Sequence, residues 1–212
     1  MQLELPRHSG WGGRRKGAGR KPKGERALVT HGTRPALAAR FPVHVTIRVL
    51  PHVWNLRSRR GFRALSAALS AGGDRPGMRI CEFSIQGNHV HFVIEAGDAR
   101  ALSRGMQGLS IRIAKGLNKM MQTQGKVLAD RFHARILRTP TEVARVLAYV
   151  RGNRELHRAR WVEERRVVPP TAAARSAEPD PYSSASRDHG VPLPEARTWL
   201  LARARAERAA PA

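Results

Sequence analysis

The run Ile85-Gln-Gly-Asn-His-Val-His-Phe-Val-Ile94 carries His89 and His91 on either side of one valine. Alternate side chains of a strand point the same way, so this spacing aims two imidazoles at one place. Neutral imidazoles brought together like this are the beginning of a metal site that awaits further ligands. With nine histidines in 212 residues, shuffling alone would produce roughly 0.4 such pairs, so a second feature has to add weight. That feature is Val146-Leu-Ala-Tyr-Val-Arg-Gly-Asn153, where Tyr149, one of two tyrosines, stands four residues before an amide side chain. On a helix, residues i and i+4 share a face.

The flanking pattern says what would hold these groups. Val43, Val45, Ile47 and Val49 alternate with His44, Thr46 and Arg48, which predicts a strand with one apolar and one polar, partly basic face. A helix is expected from about Leu56 to Ala71, ending at Gly72-Gly73. Arg79 to Ile85 and Asn88 to Glu95 read as a hairpin across Gly87-Asn88, with Val90, Phe92 and Ile94 opposite the two histidines, which then face away from the core. Asp98 caps a long helix with Leu102, Met106, Leu109, Ile113, Leu117 and Met120 at four- and three-residue steps. Leu128 to Leu137 is a fourth strand, with Arg131, His133 and Arg135 on its polar side. Thr139-Pro-Thr-Glu142 is a capping box that opens the helix carrying Tyr149. Tyr149 and Asn153 fall roughly 70–110° from the centre of that helix's apolar stripe, on its flank. The order β-α-β-β-α-β-α is the split βαβ, ferredoxin-like plan: an α+β domain with one antiparallel sheet, helices on one face and flexible basic tails.

Charge narrows the partner. Lys and Arg number 39 against 16 Asp and Glu, a net +23 that concentrates polyanions, and nucleic acid leads. No apolar run approaches the roughly 18 residues of a membrane span, and no leader pattern is visible. The single Cys81 fits a reducing cytosol and a place in a strand core. Residues 1–40 read as a basic arm, 41–165 as the catalytic domain, and 166–212 as a Pro- and Ala-rich tail with Tyr182 in a disordered part and a short helix from Glu195 to Ala209. Within the arm, Gly13-Arg-Arg-Lys-Gly-Ala-Gly-Arg-Lys-Pro22 resembles an AT-hook, with Lys21 where that motif's core has arginine. A generic phosphate-binding tail would look the same. The residues expected on DNA are Arg14, Arg15, Lys16, Arg20, Lys21, His44, Arg48, Arg131 and Arg135.

His-hydrophobic-His on a central strand, followed by Tyr-x-x-x-(Gln or Asn) on a helix after the fourth strand, resembles the single-tyrosine HUH transposases, including their REP-associated relatives. The resemblance covers roughly Arg40 to Trp161 and takes in Pro42-Val-His-Val-Thr-Ile-Arg48 and Asp130-Arg-Phe-His133. This chain has Asn153 where many members carry Gln, and Arg154 in place of a proline common in the REP-associated branch. The resemblance implies a DNA transposase of the bacterial cytoplasm, associated with the nucleoid, that nicks and rejoins single strands at hairpin or palindromic ends, with a homodimer left open. Tyr149 would be the nucleophile, forming a 5′-phosphotyrosine and a free 3′-hydroxyl. An ordinary phenol titrates near pH ~10 and needs a cation or base to act at neutral pH. His89, His91 and Asn153 would hold Mg²⁺ or Mn²⁺ to polarise the scissile phosphate.

Two other readings compete. A non-catalytic, domesticated nucleic-acid-binding protein on the same fold would stack bases on strand aromatics, but aromatics are 5% of the chain, and Phe83 and Phe92 belong to apolar faces. A replication initiator or relaxase would show paired tyrosines or a third histidine, and neither pattern is visible.

Overall fold

The computed structural model describes residues 34–165, 179–186 and 189–209, with side chains for 34–152, 179–186 and 189–206. All of them belong to one unit, His31–Ala212. Alternation of branched apolar and polar residues builds β1 (Val43–Arg48), with Val43, Val45 and Ile47 buried. Then follow α1 (Arg59–Gly72), β2 (Asp74–Arg75), β3 (Met78–Ile85), β4 (His89–Ala96), α2 (Ala99–Met121), β5 (His133–Ile136), α3 (Pro140–Arg165) and α4 (Trp199–Ala209). The strands form one sheet in the order β2-β3-β4-β1-β5, every neighbour antiparallel. Without β2 this is the split βαβ arrangement, so the α+β class is the one the sequence predicts. β2 is an addition, a two-residue strand closed by Pro76 and Gly77 at φ +86°, too short to show any alternation.

On one face, α1 and α2 cover Val45, Ile47, Ile80, Phe83, Ile85, Val90, Phe92 and Ile94. Asp98 caps α2, accepting from Ala101 N at 2.7 Å, and the buried stripe ends at Met121, not Met120. The expectation of helices on one face alone is corrected. Cys81 and Val93 form a second core with Leu137, Val143, Leu147 and Val150, and with Leu200, Leu201 and Ala204 of α4. The physical reason is in the strands: the side of β3 and β4 that bears the histidines also bears Cys81 and Val93, apolar groups that need cover.

The fourth strand is shorter than predicted. Leu128 makes only an isolated bridge with Val49, and the chain departs from the ladder before β5 begins at His133. At the other end of the chain, Arg34 stacks its guanidinium 3.6 Å from the Phe132 ring centroid and Leu37 enters the core, so packing is already under way at residue 34.

The stretch around Tyr182 is not the disordered linker that its composition suggests. Ile85 N donates to Tyr182 O and Ser184 N to Phe83 O, each at 2.9 Å, while Arg57 pairs bidentately with Asp180 at 2.7 and 2.8 Å. Because β2 covers only two residues of β3, the rest of that edge has backbone groups to satisfy, and this segment satisfies them. Among the described residues no helix is long and apolar enough to cross a membrane.

Candidate active site

α3 starts where the sequence places it. Glu142 N donates to Thr139 Oγ1 at 3.2 Å and Thr139 N to Glu142 Oε2 at 3.3 Å, the reciprocal bonds of a capping box. With Val143, Leu147 and Val150 turned into the second core, Tyr149 falls on the flank of the helix, half-buried. Its hydroxyl lies 3.3 Å from His91 Nε2.

The sheet register explains the surroundings of His91. β1 and β4 pair Thr46 with His91 and Arg48 with His89, and β5 adds His133 opposite Thr46 and Arg135 opposite His44. Opposed residues of an antiparallel pair share a face. Thr46 Oγ1 is 3.0 Å and His44 Nε2 3.2 Å from His91 Nδ1, and the His44 and His91 ring centroids are 5.2 Å apart. His91 is therefore only 5% exposed, under the rings of His44 and Tyr149, not turned to open solvent as the hairpin alone suggests. Burial, then the charges of His133 and Arg135, pushes the His44 pKa down to about 4, so His44 is neutral at neutral pH.

Each of the paired histidines is held through Nδ1. Asn88 Oδ1 lies 2.7 Å from His89 Nδ1 and, as an amide oxygen, accepts its proton, which puts the lone pair on Nε2. The same tautomer of His91 lets Thr46 accept at Nδ1 and Tyr149 donate to Nε2. The rings stand edge to face, 4.8 Å between centroids. Two imidazoles oriented through Nδ1 with lone pairs on Nε2 fit a divalent cation of intermediate softness. Among the described residues no group of three or more His, Cys, Asp or Glu is placed to hold a metal ion. Asn153 lies on α3 with its side chain outside the described residues.

The other expected contact residues divide. Arg48 and Arg135 are exposed on the polar side of β1 and β5, the part of this face that α3 leaves open. Arg135 is paired with Glu142 at 2.8 Å across that surface. Arg131 is half-buried in the turn before β5. Arg14, Arg15, Lys16, Arg20 and Lys21 lie outside the described residues. A cavity of about 760 Å³ opens elsewhere, between Gly77, Glu95, Arg197 and Trp199 at the far end of β4, and it includes none of the histidines or Tyr149.

Sequence reasoning missed Thr46, whose alternation with His44 already placed it on the histidine face. It also missed Glu82, an acid flanked by Ile80, Cys81 and Phe83 in the Met78–Ile85 strand and 1% exposed. Arg151 of α3 binds both Glu82 oxygens, at 2.7 and 3.2 Å, and Arg205 of α4 joins at 2.9 Å. Burial pushes the Glu82 carboxyl up, but the bonds and charge of Arg151, with Ser184 and Arg205, outweigh it and hold the group below its ordinary value.

No protein-family profile matches this chain, and no curated protein does. Among solved structures, a REP-associated tyrosine transposase bound to a REP hairpin is similar at 15% identity and a TM-score of 0.49, covering 61% of this chain and 74% of that one.

Proposed function

We propose that the chain is a DNA strand transferase in which Tyr149 is the nucleophile, acting on single-stranded DNA held against the open half of the histidine face. The observation that carries this reading is the Tyr149 hydroxyl 3.3 Å from His91 Nε2, beside a second histidine and an exposed basic strip, in a chain of net charge +23. A packing tyrosine also finds a partner for its hydroxyl, so the weight lies in what surrounds this one: a histidine of the His89–His91 pair on β4 and the exposed arginines of β1 and β5.

The roles follow from the geometry. Arg48, Arg135 and His133 line the approach from β1 and β5 and meet the phosphate backbone. The contact with His91 places the Tyr149 hydroxyl on the histidine face, and Thr46 holds the ring in that orientation; the phenolic proton leaves to solvent, because a ring nitrogen that ligates a cation has no lone pair left to accept it. Attack forms the bond from Tyr149 Oη to phosphorus and breaks the bond from phosphorus to O3′, leaving a 5′-phosphotyrosine and a 3′-hydroxyl that takes up a proton. The reverse step, from another 3′-hydroxyl, rejoins a strand without ATP because the phosphodiester energy is kept. His89 and His91, with Asn153, would hold Mg²⁺ or Mn²⁺, which supplies positive charge to the scissile phosphate and to the phenolate.

Incubating the full chain with single-stranded DNA and Mn²⁺ tests the reading. A covalent adduct that survives SDS supports it. Reversible binding alone would favour the non-catalytic DNA-binding protein.

A further inference from the structure

Val150 is wholly buried between α3 and the sheet, and its two neighbours project about 100° to either side of it. On one flank Tyr149 meets β4 at His91, and on the other Arg151 meets β3 at Glu82. In the ladder Ser84 faces His91 and Glu82 faces Val93, so the two contacts straddle the line on which the helix rests. We propose that Arg151 is a positioning residue: by gripping both oxygens of Glu82 it sets the rotation of α3 about its axis, and with it the reach of the Tyr149 hydroxyl. The inference rests on the reading of Tyr149 as the nucleophile.

The grip is rigid for physical reasons. Glu82 is 1% exposed, and a buried carboxylate does not slacken toward water as a surface pair does. The Ser184 hydroxyl on Oε2 and Arg205 on Oε1 hold the same carboxylate, so Arg151 closes on a fixed point. A guanidinium bound through two nitrogens also fixes an angle, which a single contact does not. A rotation of about 10° would carry a hydroxyl roughly 9 Å from the helix axis through about 1.5 Å, and a misplacement of about 1 Å costs on the order of 10²-fold in rate.

Two arginines on one carboxylate provide the control. Arg151→Met leaves Glu82 paired with Arg205, and Arg205→Met leaves it paired with Arg151, so both variants lose one partner of the same group. Arg151→Met is expected to lower kcat for single-strand cleavage by about 10–100-fold with the KM for DNA changed less than about threefold, while Arg205→Met keeps kcat within about threefold at a comparable fall in Tm. Arg151→Lys, which contacts one oxygen, should recover part of the rate and serves if the methionine variant does not fold. An activity-free readout comes from 3-fluorotyrosine incorporation, because the chain has only two tyrosines. The ¹⁹F resonance of Tyr149 should shift in Arg151→Met and not in Arg205→Met, with Tyr182, packed against Phe62 and Arg57, as the internal reference. Equal slowing by both variants, or a wild-type rate and resonance in Arg151→Met, overturns the proposal. Undiminished cleavage by Tyr149→Phe overturns the nucleophile reading instead, and the resonance still decides whether Arg151 places the ring.

Discussion

Thr46 and His91 stand directly opposite each other on β1 and β4, with the threonine hydroxyl 3.0 Å from the imidazole Nδ1 and the Tyr149 hydroxyl at the ring's other nitrogen. By accepting at Nδ1, beside His44 Nε2 at 3.2 Å, the hydroxyl favours the tautomer whose lone pair faces Tyr149. Thr46→Val keeps the shape of the side chain and suits a strand, so the fold should survive at a cost of about 1 kcal/mol. Cleavage should slow by about 10–100-fold, and half-maximal activity should need more Mn²⁺. A metal titration of the cleavage rate checks this, and an unchanged titration curve would show that Thr46 does not orient the ring.

His89→Ala or His91→Ala should make cleavage unmeasurable at ordinary metal concentrations, because each removes a proposed metal ligand held in place by its Nδ1 bond. Asn153→Ala should be milder, since water can replace an amide ligand. Excess EDTA should reproduce the histidine changes in an end-labelled strand assay. Cleavage that persists in EDTA would take the metal out of the account.

Much of this site can be read from the chain. Period-two alternation places His44 beside the His89–His91 pair, and the Thr139–Glu142 capping box places the start of the tyrosine helix, both because local hydrogen bonds and burial dictate them. Three features are illegible for a common reason, namely that they depend on partners distant in sequence. His91 is buried by α3, which packs on the histidine face through Val143, Leu147 and Val150. The Tyr182 segment has a loop's composition but is ordered by the open edge of β3. Arg151 looks like one more surface arginine until Glu82, 69 residues away, is placed under it.

Acid should unfold the protein through its buried carboxylates. For Glu82 burial raises the pKa, and for Glu95 likewise, but Arg151 in the first case and the backbone and hydroxyl of Thr198 with Arg197 in the second hold both below their ordinary value of 4.5. A depressed carboxylate contributes stability that is full above the unfolded pKa and is lost as pH falls through the folded one. Tm should thus be flat from pH 7 to about 5 and drop steeply below about pH 4.5. Glu82→Gln should have a lower Tm at pH 7 and a shallower acid slope. A scan of Tm against pH in which both proteins lose stability in parallel would remove Glu82 as a cause.

Deleting residues 1–33 should weaken hairpin and duplex binding and flatten its salt dependence, while the cutting of short single strands survives. Arg34 is kept because it stacks on Phe132 and donates to its carbonyl. The arm carries Arg14, Arg15, Lys16, Arg20 and Lys21, and each DNA phosphate that the truncated chain no longer neutralises should reduce the log-log salt slope by roughly 0.7–0.9. Filter binding across a salt series measures this, and an unchanged slope would make the arm a bystander.

In the proposed reaction the Tyr149 hydroxyl attacks phosphorus. Tyr149→Phe removes only that oxygen and keeps the ring's edge-on contact with His91, so DNA affinity and Tm should remain near wild type. The direct measurement is mass spectrometry of the protease-digested adduct formed with a defined single strand and Mn²⁺. One modified peptide is expected, carrying the 5′-phosphate end of the downstream DNA on Tyr149, with a matching fragment that has a free 3′-hydroxyl, and neither product from Tyr149→Phe. An adduct on another residue, an adduct formed equally by Tyr149→Phe, or strand cleavage with no protein attached would contradict that reaction.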